Sequence, residues 1–344
     1  MSRPRPAALA LTILSSLALA ACTGAGSSDE VVAPGPEREV TATHTLSLFA
    51  YAVSKPAYDA VVPAFQRTAA GADVSVQQSY GASGDQSRKV AAGADADLVH
   101  VSVEPDLTRL VDAGLVAPGW AAADHAGVPF GSVVTLVVRD GNPKGITDWD
   151  DLLQPGIEVV TPNPFSSGSA KWNLLAPYAV KSRGGADRAV GLAYVSELVR
   201  EHVSIQPKSG REATEAFLQG RGDVLLSYEN EALFVERNGD PVEHVTPPQT
   251  FRIDNPVAVI EDRPDREVAQ AFVDYLYAPE AQRLLAAAGF RPVDEQVREE
   301  FATTFPAPQQ LWTIADLGGW TSVDADLFDQ DSGAIAAIYD AATQ

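Results

Sequence analysis

The chain has 344 residues, of which 46 are acidic and 25 basic, and carries a formal charge of −21. That balance excludes nucleic acid as a partner and disfavours adsorption to anionic lipid, while the length suffices for two lobes with a sizeable core. A single cysteine and a single methionine exclude a disulfide framework and a soft-metal cluster.

Residues 1–21 place Arg3 and Arg5 before an apolar run that ends at Cys22. This is the pattern of an export signal, too short and wrongly flanked for a membrane-spanning helix. Leu19-Ala20-Ala21-Cys22 resembles a bacterial lipobox, so Cys22 is expected to be lipid-modified and to become the new N-terminus. Residues 22–43 are rich in Gly, Ser, Pro and Glu and read as a flexible tether.

From residue 45 onward strands and helices alternate. Residues 45–51 alternate as a strand, and 56–68 show helical spacing. A strand at 73–79 runs into Tyr80-Gly81-Ala82-Ser83-Gly84-Asp85-Gln86 and a helix that continues to residue 92. A short strand at 97–100 and a helix at 104–113 follow. The apolar run 128–138 reads as a strand long enough to cross between lobes. Asp148-Trp149-Asp150-Asp151 starts a short helix; it is a helix-start acidic cluster rather than a metal site, because Trp149 interrupts it. The strand 157–161 is stopped by two prolines, and Ser167-Gly168-Ser169 then opens an apolar helix over 170–182. A further helix is predicted at 186–201, a strand at 203–206, and a helix after Ser209-Gly210 to residue 218. A strand over 222–228 meets a helix at Glu229-Asn230-Glu231. Residues 255–260 form a second apolar strand able to cross back, followed by helices at 266–276 and 279–288 and a closing helix from about residue 323. Repeated βα units imply parallel sheets covered by helices.

Three strand–turn–helix junctions share small residues: Ser83-Gly84, Ser167-Gly168-Ser169 and Ser209-Gly210. Each is an ordinary helix cap or part of an anion site. In open α/β sheets such junctions lie at the carboxyl ends of strands, where ligands bind. Glycine permits close backbone approach, and serine adds an uncharged donor. A site made only of donors accepts a fully deprotonated oxyanion and leaves a protonated one with an O–H facing no acceptor. The five histidines lack metal-ligand spacing, and no Gly-x-Ser-x-Gly elbow occurs, so neither a metal, a cofactor nor catalysis is expected. Trp172, Trp312 and Trp320 read as packing residues.

The segments Gln78-Ser79-Tyr80-Gly81-Ala82-Ser83-Gly84, Thr161-Pro162-Asn163-Pro164 with Ser166-Ser167-Gly168, and Gly222-Asp223-Val224-Leu225-Leu226-Ser227-Tyr228 resemble, in order, those of the bacterial sulfate-binding proteins of ABC transporters. The resemblance covers residue 45 to the C-terminus. It implies a two-lobed α/β fold of the type II periplasmic-binding-protein kind, each lobe a mixed sheet flanked by helices, joined by two crossover strands. Lobe 1 would comprise residues 44–130 and about 256–305, and lobe 2 residues 131–255 and about 306–344. Carried over by position, Ser83 would offer its hydroxyl and N–H, Ser167 its hydroxyl, Gly168, Ser169 and Gly210 their N–H groups, and Tyr228 a side-chain donor. Six positions depart from the pattern: Tyr228 stands where tryptophan is frequent, Ser169 and Gly210 replace other small residues, Ala52 replaces a common Asp, Lys55 an arginine, and Asp85 a basic residue. Asp85 favours the helix dipole, or alternatively accepts a hydrogen bond from a protonated oxyanion, which would move specificity toward phosphate. The expectation is a monomeric lipoprotein that delivers sulfate to a permease. Thiosulfate or molybdate binding and a non-transport, anion-sensing surface role are the alternatives.

Overall fold

The computed structural model describes residues 42–122 and 124–342. The export signal, Cys22 and most of the tether lie outside them. In chain order the strands and α-helices are β1 (His44–Tyr51), α1 (Lys55–Phe65), β2 (Val74–Gly81), α2 (Ser83–Ala91), β3 (Leu98–His100) and α3 (Glu104–Asp112). There follow β4 (Phe130–Arg139), β5 (Val159–Val160), α4 (Gly168–Ser182), α5 (Arg188–Glu197), β6 (Val203–Ile205), α6 (Gly210–Leu218), β7 (Val224–Tyr228) and α7 (Glu229–Arg237). The remainder is β8 (Val242–Val245), β9 (Gln249–Asp254), β10 (Val257–Val259), α8 (Arg266–Leu276), α9 (Pro279–Ala287), β11 (Arg291–Pro292), α10 (Glu295–Glu300), β12 (Gln310–Trp312), α11 (Trp320–Val323) and α12 (Ala334–Ala342).

Two sheets organise these elements. The first has the order β10-β3-β1-β2, with β1 parallel to both neighbours. Alternation explains β1: Leu46, Leu48 and Ala50 are buried and pack with Tyr58, Val61 and Phe65 of α1. The second sheet has the order β12-β9-β4-β7-β5-β6, and β5 runs parallel to both β6 and β7. Val133 to Val138 are all buried because β4 is covered on both faces, which is why it reads as a continuous apolar run. Helix α4 is buried almost all round, through Trp172, Leu174, Leu175, Ala176 and Ala179.

Two strand passages join the lobes. Phe130, at the start of β4, packs edge-on against His100 and Phe290 of the first core, while Val134 to Val138 pair with β7 in the second sheet. The chain returns at Asn255-Pro256, between β9 and β10. A third passage, after α10, carries the C-terminal segment to β12, which pairs with β9.

Sequence periodicity overlooked β8 and β9, whose short runs carry charges that mask the alternation: β8 reads Val-Glu-His-Val and β9 Gln-Thr-Phe-Arg-Ile-Asp. The closing helix is not continuous from residue 323. A π-turn (Asp324–Phe328) and a turn in which Asp329 accepts from the N–H groups of Asp331 and Ser332 separate α11 from α12.

Asn255 ties the return passage to the first lobe. Its side-chain oxygen accepts from Tyr51 Oη at 2.9 Å, and its carbonyl accepts from His100 Nε2 at 3.0 Å. A carbonyl can only accept, so Nε2 carries the proton; Nδ1, 2.6 Å from Tyr58 Oη, then accepts from the phenol. Burial lowers the His100 pKa from 6.5 to about 3. Below pH 6.5 the unfolded chain takes up a proton that the folded chain refuses, so stability falls with pH, by about 1.4 kcal/mol per unit, until about pH 3. Urea unfolding at pH 7 and pH 5 should show a stability loss about 2 kcal/mol larger for the wild type than for His100→Gln. Equal losses would refute the assignment.

Candidate functional site

The carboxyl ends of the parallel strands in both sheets face a common cavity. From the first lobe, Ala52 and Val53 follow β1, Ala82 and Ser83 stand at the start of α2, and Ser102 follows β3. From the second lobe, Ser167 and Ser169 stand at the start of α4, and Ser209 and Gly210 at the start of α6. None of the residues that line the cavity carries a charged side chain. The space is small, about 10 Å³, near the lower limit for holding a single water molecule.

The first N–H groups of a helix have no acceptor within it and are normally met by a capping side chain. At α2 the N-cap is Ala82 and makes no side-chain cap. At α4 the N-cap is Ser167, in extended conformation, and it too makes no cap bond; its Oγ lies 2.7 Å from Ser169 Oγ instead. Only α6 is capped, Ser209 Oγ accepting from Glu212 N at 3.2 Å, which still leaves the Gly210 N–H without a cap. Elsewhere caps are mixed: α5 and α10 begin with Asp187 and Asp294 as side-chain caps, while α1, α3, α7, α8 and α9 have none, so what marks α2, α4 and α6 is that their starts meet at one cavity. Three helix starts thus supply uncapped donors and partial positive charge to one small space.

Glycines let the lobes meet there. A Cβ on Gly168 would stand 2.7 Å from Ser102 Cβ and 2.8 Å from its Oγ; one on Gly210 would stand 2.8 Å from Ser169 Oγ and 3.2 Å from Val53 Cγ1. The Gly84 N–H donates across the seam to the Ser166 carbonyl at 3.2 Å. Trp172 Nε1, from α4, donates to the Ser102 carbonyl at 2.8 Å, as does Asn255 Nδ2 at 2.9 Å. Outside this seam lies a larger polar cleft of about 360 Å³, where Arg88, Arg109 and Lys171 face Asp106 and Asp324.

Of the residues singled out from the sequence, Ser83, Ser167, Ser169 and Gly210 line the cavity. Gly168 lies between two of them and faces the outer cleft. Two details differ from expectation. The Ser83 hydroxyl is turned away, accepting from Ser102 N at 2.8 Å and donating to Asp106 Oδ2 at 2.6 Å. Tyr228 is not on the cavity wall; its ring is buried beside Tyr51 and its hydroxyl ends 2.5 Å from Ser102 Oγ. Burial pushes the Tyr228 phenol above its ordinary pKa, so it remains protonated. Asp85 is paired with Arg88 at 2.6 Å on the outer face of α2 and does not line the cavity. The residues that sequence reasoning missed are Ser102, Asp106 and Asn255. For Ser102 the available signal was a serine just beyond the carboxyl end of a parallel strand, without the glycine that marks the other turns.

Charges near the site are held back from it. Arg211, next to Gly210, lies 3.0 Å from the fully buried Glu231, whose carboxyl is pushed up by burial and pulled down by Arg211. Arg291 grips Glu229 with two bonds of 2.6 and 2.8 Å. Asp148 and Asp151 form a reciprocal capping box at a short 3₁₀ turn. Among the described residues no cluster of His, Cys, Asp and Glu has the arrangement of a metal site.

Comparison with known proteins agrees with this geometry. Residues 46–291 match the family described as bacterial extracellular solute-binding protein. The chain is similar to the sulfate-binding protein of Synechococcus elongatus, 39% identical over 93% of this chain and 91% of that one. It is also similar to the thiosulfate-binding protein of Pseudomonas aeruginosa, 33% identical over 81% of this chain and 90% of that one. Among solved structures, the sulfate-binding protein SubI from Mycobacterium tuberculosis H37Rv is 60% identical, with a TM-score of 0.82 over 83% of this chain and all of that one.

Because Ser102 occupies the place a Gly168 side chain would need, Gly168→Ala should keep the lobes from meeting. Its unliganded melting temperature should stay within a few degrees of wild type while the compaction seen by small-angle scattering on adding the ligand is lost; compaction equal to wild type would refute this. With parallel strands in two lobes aiming uncapped helix starts at one cavity, the chain belongs to the bacterial extracellular solute-binding proteins, in their two-lobed type II form.

Proposed function

We propose that the protein captures sulfate between its lobes and delivers it to an ABC-type permease outside the cytoplasmic membrane. The observation that carries this reading is the cavity itself, lined by hydroxyls and helix-start N–H groups and by no charged side chain. Burying a divalent oxyanion is costly unless its oxygens are hydrogen-bonded, and helix N-termini contribute up to about 2 kcal/mol each in partly buried settings. The net charge of −21 opposes any anion, so these local donors must hold it. The relatives named for sulfate support the choice of ligand, and the relative named for thiosulfate favours that anion as the second reading. Ser83, Ser167, Gly168, Ser169 and Gly210 are the proposed contacts. The lobes close over the anion about the Asn255 passage.

Cys22, in its lipobox-like setting, is the proposed lipid anchor, with residues 22–43 as tether. No cofactor enters this role, and the reading is of a monomer that binds without turnover.

Calorimetry on a soluble form, after removal of bound anion by partial unfolding, tests the ligand against sulfate, thiosulfate, molybdate and phosphate. Tight sulfate binding with phosphate excluded is expected; tighter thiosulfate binding would transfer the assignment, and no binding would end it. Ser167→Ala should weaken sulfate binding by about 1–3 kcal/mol through one lost donor to a charged group. An unchanged affinity would remove Ser167 from the site. Cys22→Ser should move the protein from the membrane fraction to the soluble fraction after expression in a bacterial host, and continued membrane association would refute the anchor.

A further inference from the structure

Two first-lobe hydroxyls, of Ser83 and Ser102, line the cavity, the phenol of Tyr228 lies behind Ser102, and their hydrogen bonds distribute the protons. Ser83 has one proton, and that proton goes to Asp106 Oδ2 at 2.6 Å, where Arg109 Nη1 also donates to the other oxygen at 3.0 Å. One Ser83 lone pair is occupied by the Ser102 N–H at 2.8 Å. The Ser83 side chain therefore has no proton left for a ligand.

Ser102 differs. Its backbone is pinned on both sides, the N–H by Ser83 and the carbonyl by Trp172 and Asn255. Its side chain is buried, lines the cavity and lies over the first residue of α4. Its Oγ lies 2.5 Å from the Tyr228 hydroxyl, and one of the two must donate. The phenol is fully buried and off the cavity wall, with Ser102 Oγ as the acceptor beside it, whereas Ser102 itself faces the cavity and has a second direction for its proton. The phenol proton is thus directed to Ser102 Oγ, and the Ser102 proton is left for the cavity.

We infer that Ser102 supplies the first lobe's side-chain donor to the bound anion, and that Tyr228 is a positioning residue that donates to Ser102 without touching the ligand. The relay runs from Tyr228 O–H to Ser102 Oγ, and from Ser102 O–H to the anion. It crosses the seam, because Tyr228 ends β7 in the second sheet while Ser102 follows β3 in the first. This assignment rests on the sulfate reading above and deepens it.

A double-mutant cycle read by sulfate calorimetry tests it, using wild type, Ser102→Ala, Tyr228→Phe and the double variant, each checked for its melting temperature without sulfate. Ser102→Ala should weaken binding roughly 10- to 100-fold, the range for one hydrogen bond to a charged group. Tyr228→Phe should cost several-fold, and the double variant should bind no more weakly than Ser102→Ala alone, because the phenol acts only through that hydroxyl. Losses that multiply in the double variant would place Tyr228 directly on the anion and overturn the relay. Affinity of Ser102→Ala within twofold of wild type would also overturn it, and decides the matter alone should Tyr228→Phe fail to fold. Failure of the wild type to bind sulfate would instead strike the functional reading itself.

Discussion

Everything in this molecule turns on backbone N–H groups that the chain itself leaves uncapped. An α-helix cannot satisfy its first donors, and at α2 and α4 no side chain steps in to do so. Buried and unmatched, such donors are costly, and an anion between them converts that cost into attraction. The sheets make the convergence possible. Parallel strands place every following helix start at the same edge, so one fold rule, applied in both lobes, aims all of them inward.

The second constraint is steric. Donors on two lobes serve one small ligand only if the backbones nearly touch, and side chains at the contact would hold them apart. Gly168 and Gly210 have negative φ, so conformational freedom is not why glycine stands there. What excludes a side chain is a neighbour: Ser102 across the seam from Gly168, and at Gly210 Ser169 of the same lobe, with Val53 across the seam behind it. Around this contact the polar groups are joined in a chain that runs from Tyr58 and His100 through Asn255 to Ser102 and Tyr228. The same chain links the interlobe passage to the cavity wall, so positioning of the lobes and positioning of the donors are one structural problem. Charges are treated oppositely. Glu229, Glu231 and Asp106 each face an arginine, which keeps their fields from a site where a lone carboxylate would repel the ligand.

Alternating sheet and helix patterns, the three serine–glycine turns and the two crossover strands were legible in the sequence, because hydrophobic period and glycine placement are local properties. So was the lack of charge on the cavity wall at Ser83, Ser167, Ser169 and Gly210, which carry none wherever they fold. The strands β8 and β9 were not legible: β8 is a short strand paired with β4, and its outward charges hide its period. Which hydroxyl keeps a proton for the cavity was equally out of reach. Ser83 and Ser102 are 19 positions apart and Ser102 and Tyr228 are 126, and only folding decides that Asp106 takes one proton while Tyr228 supplies another. Residue type set what each side chain is able to donate. Tertiary contact decided to whom, because a hydroxyl has a single proton and its direction depends on the acceptor that the rest of the chain brings within reach.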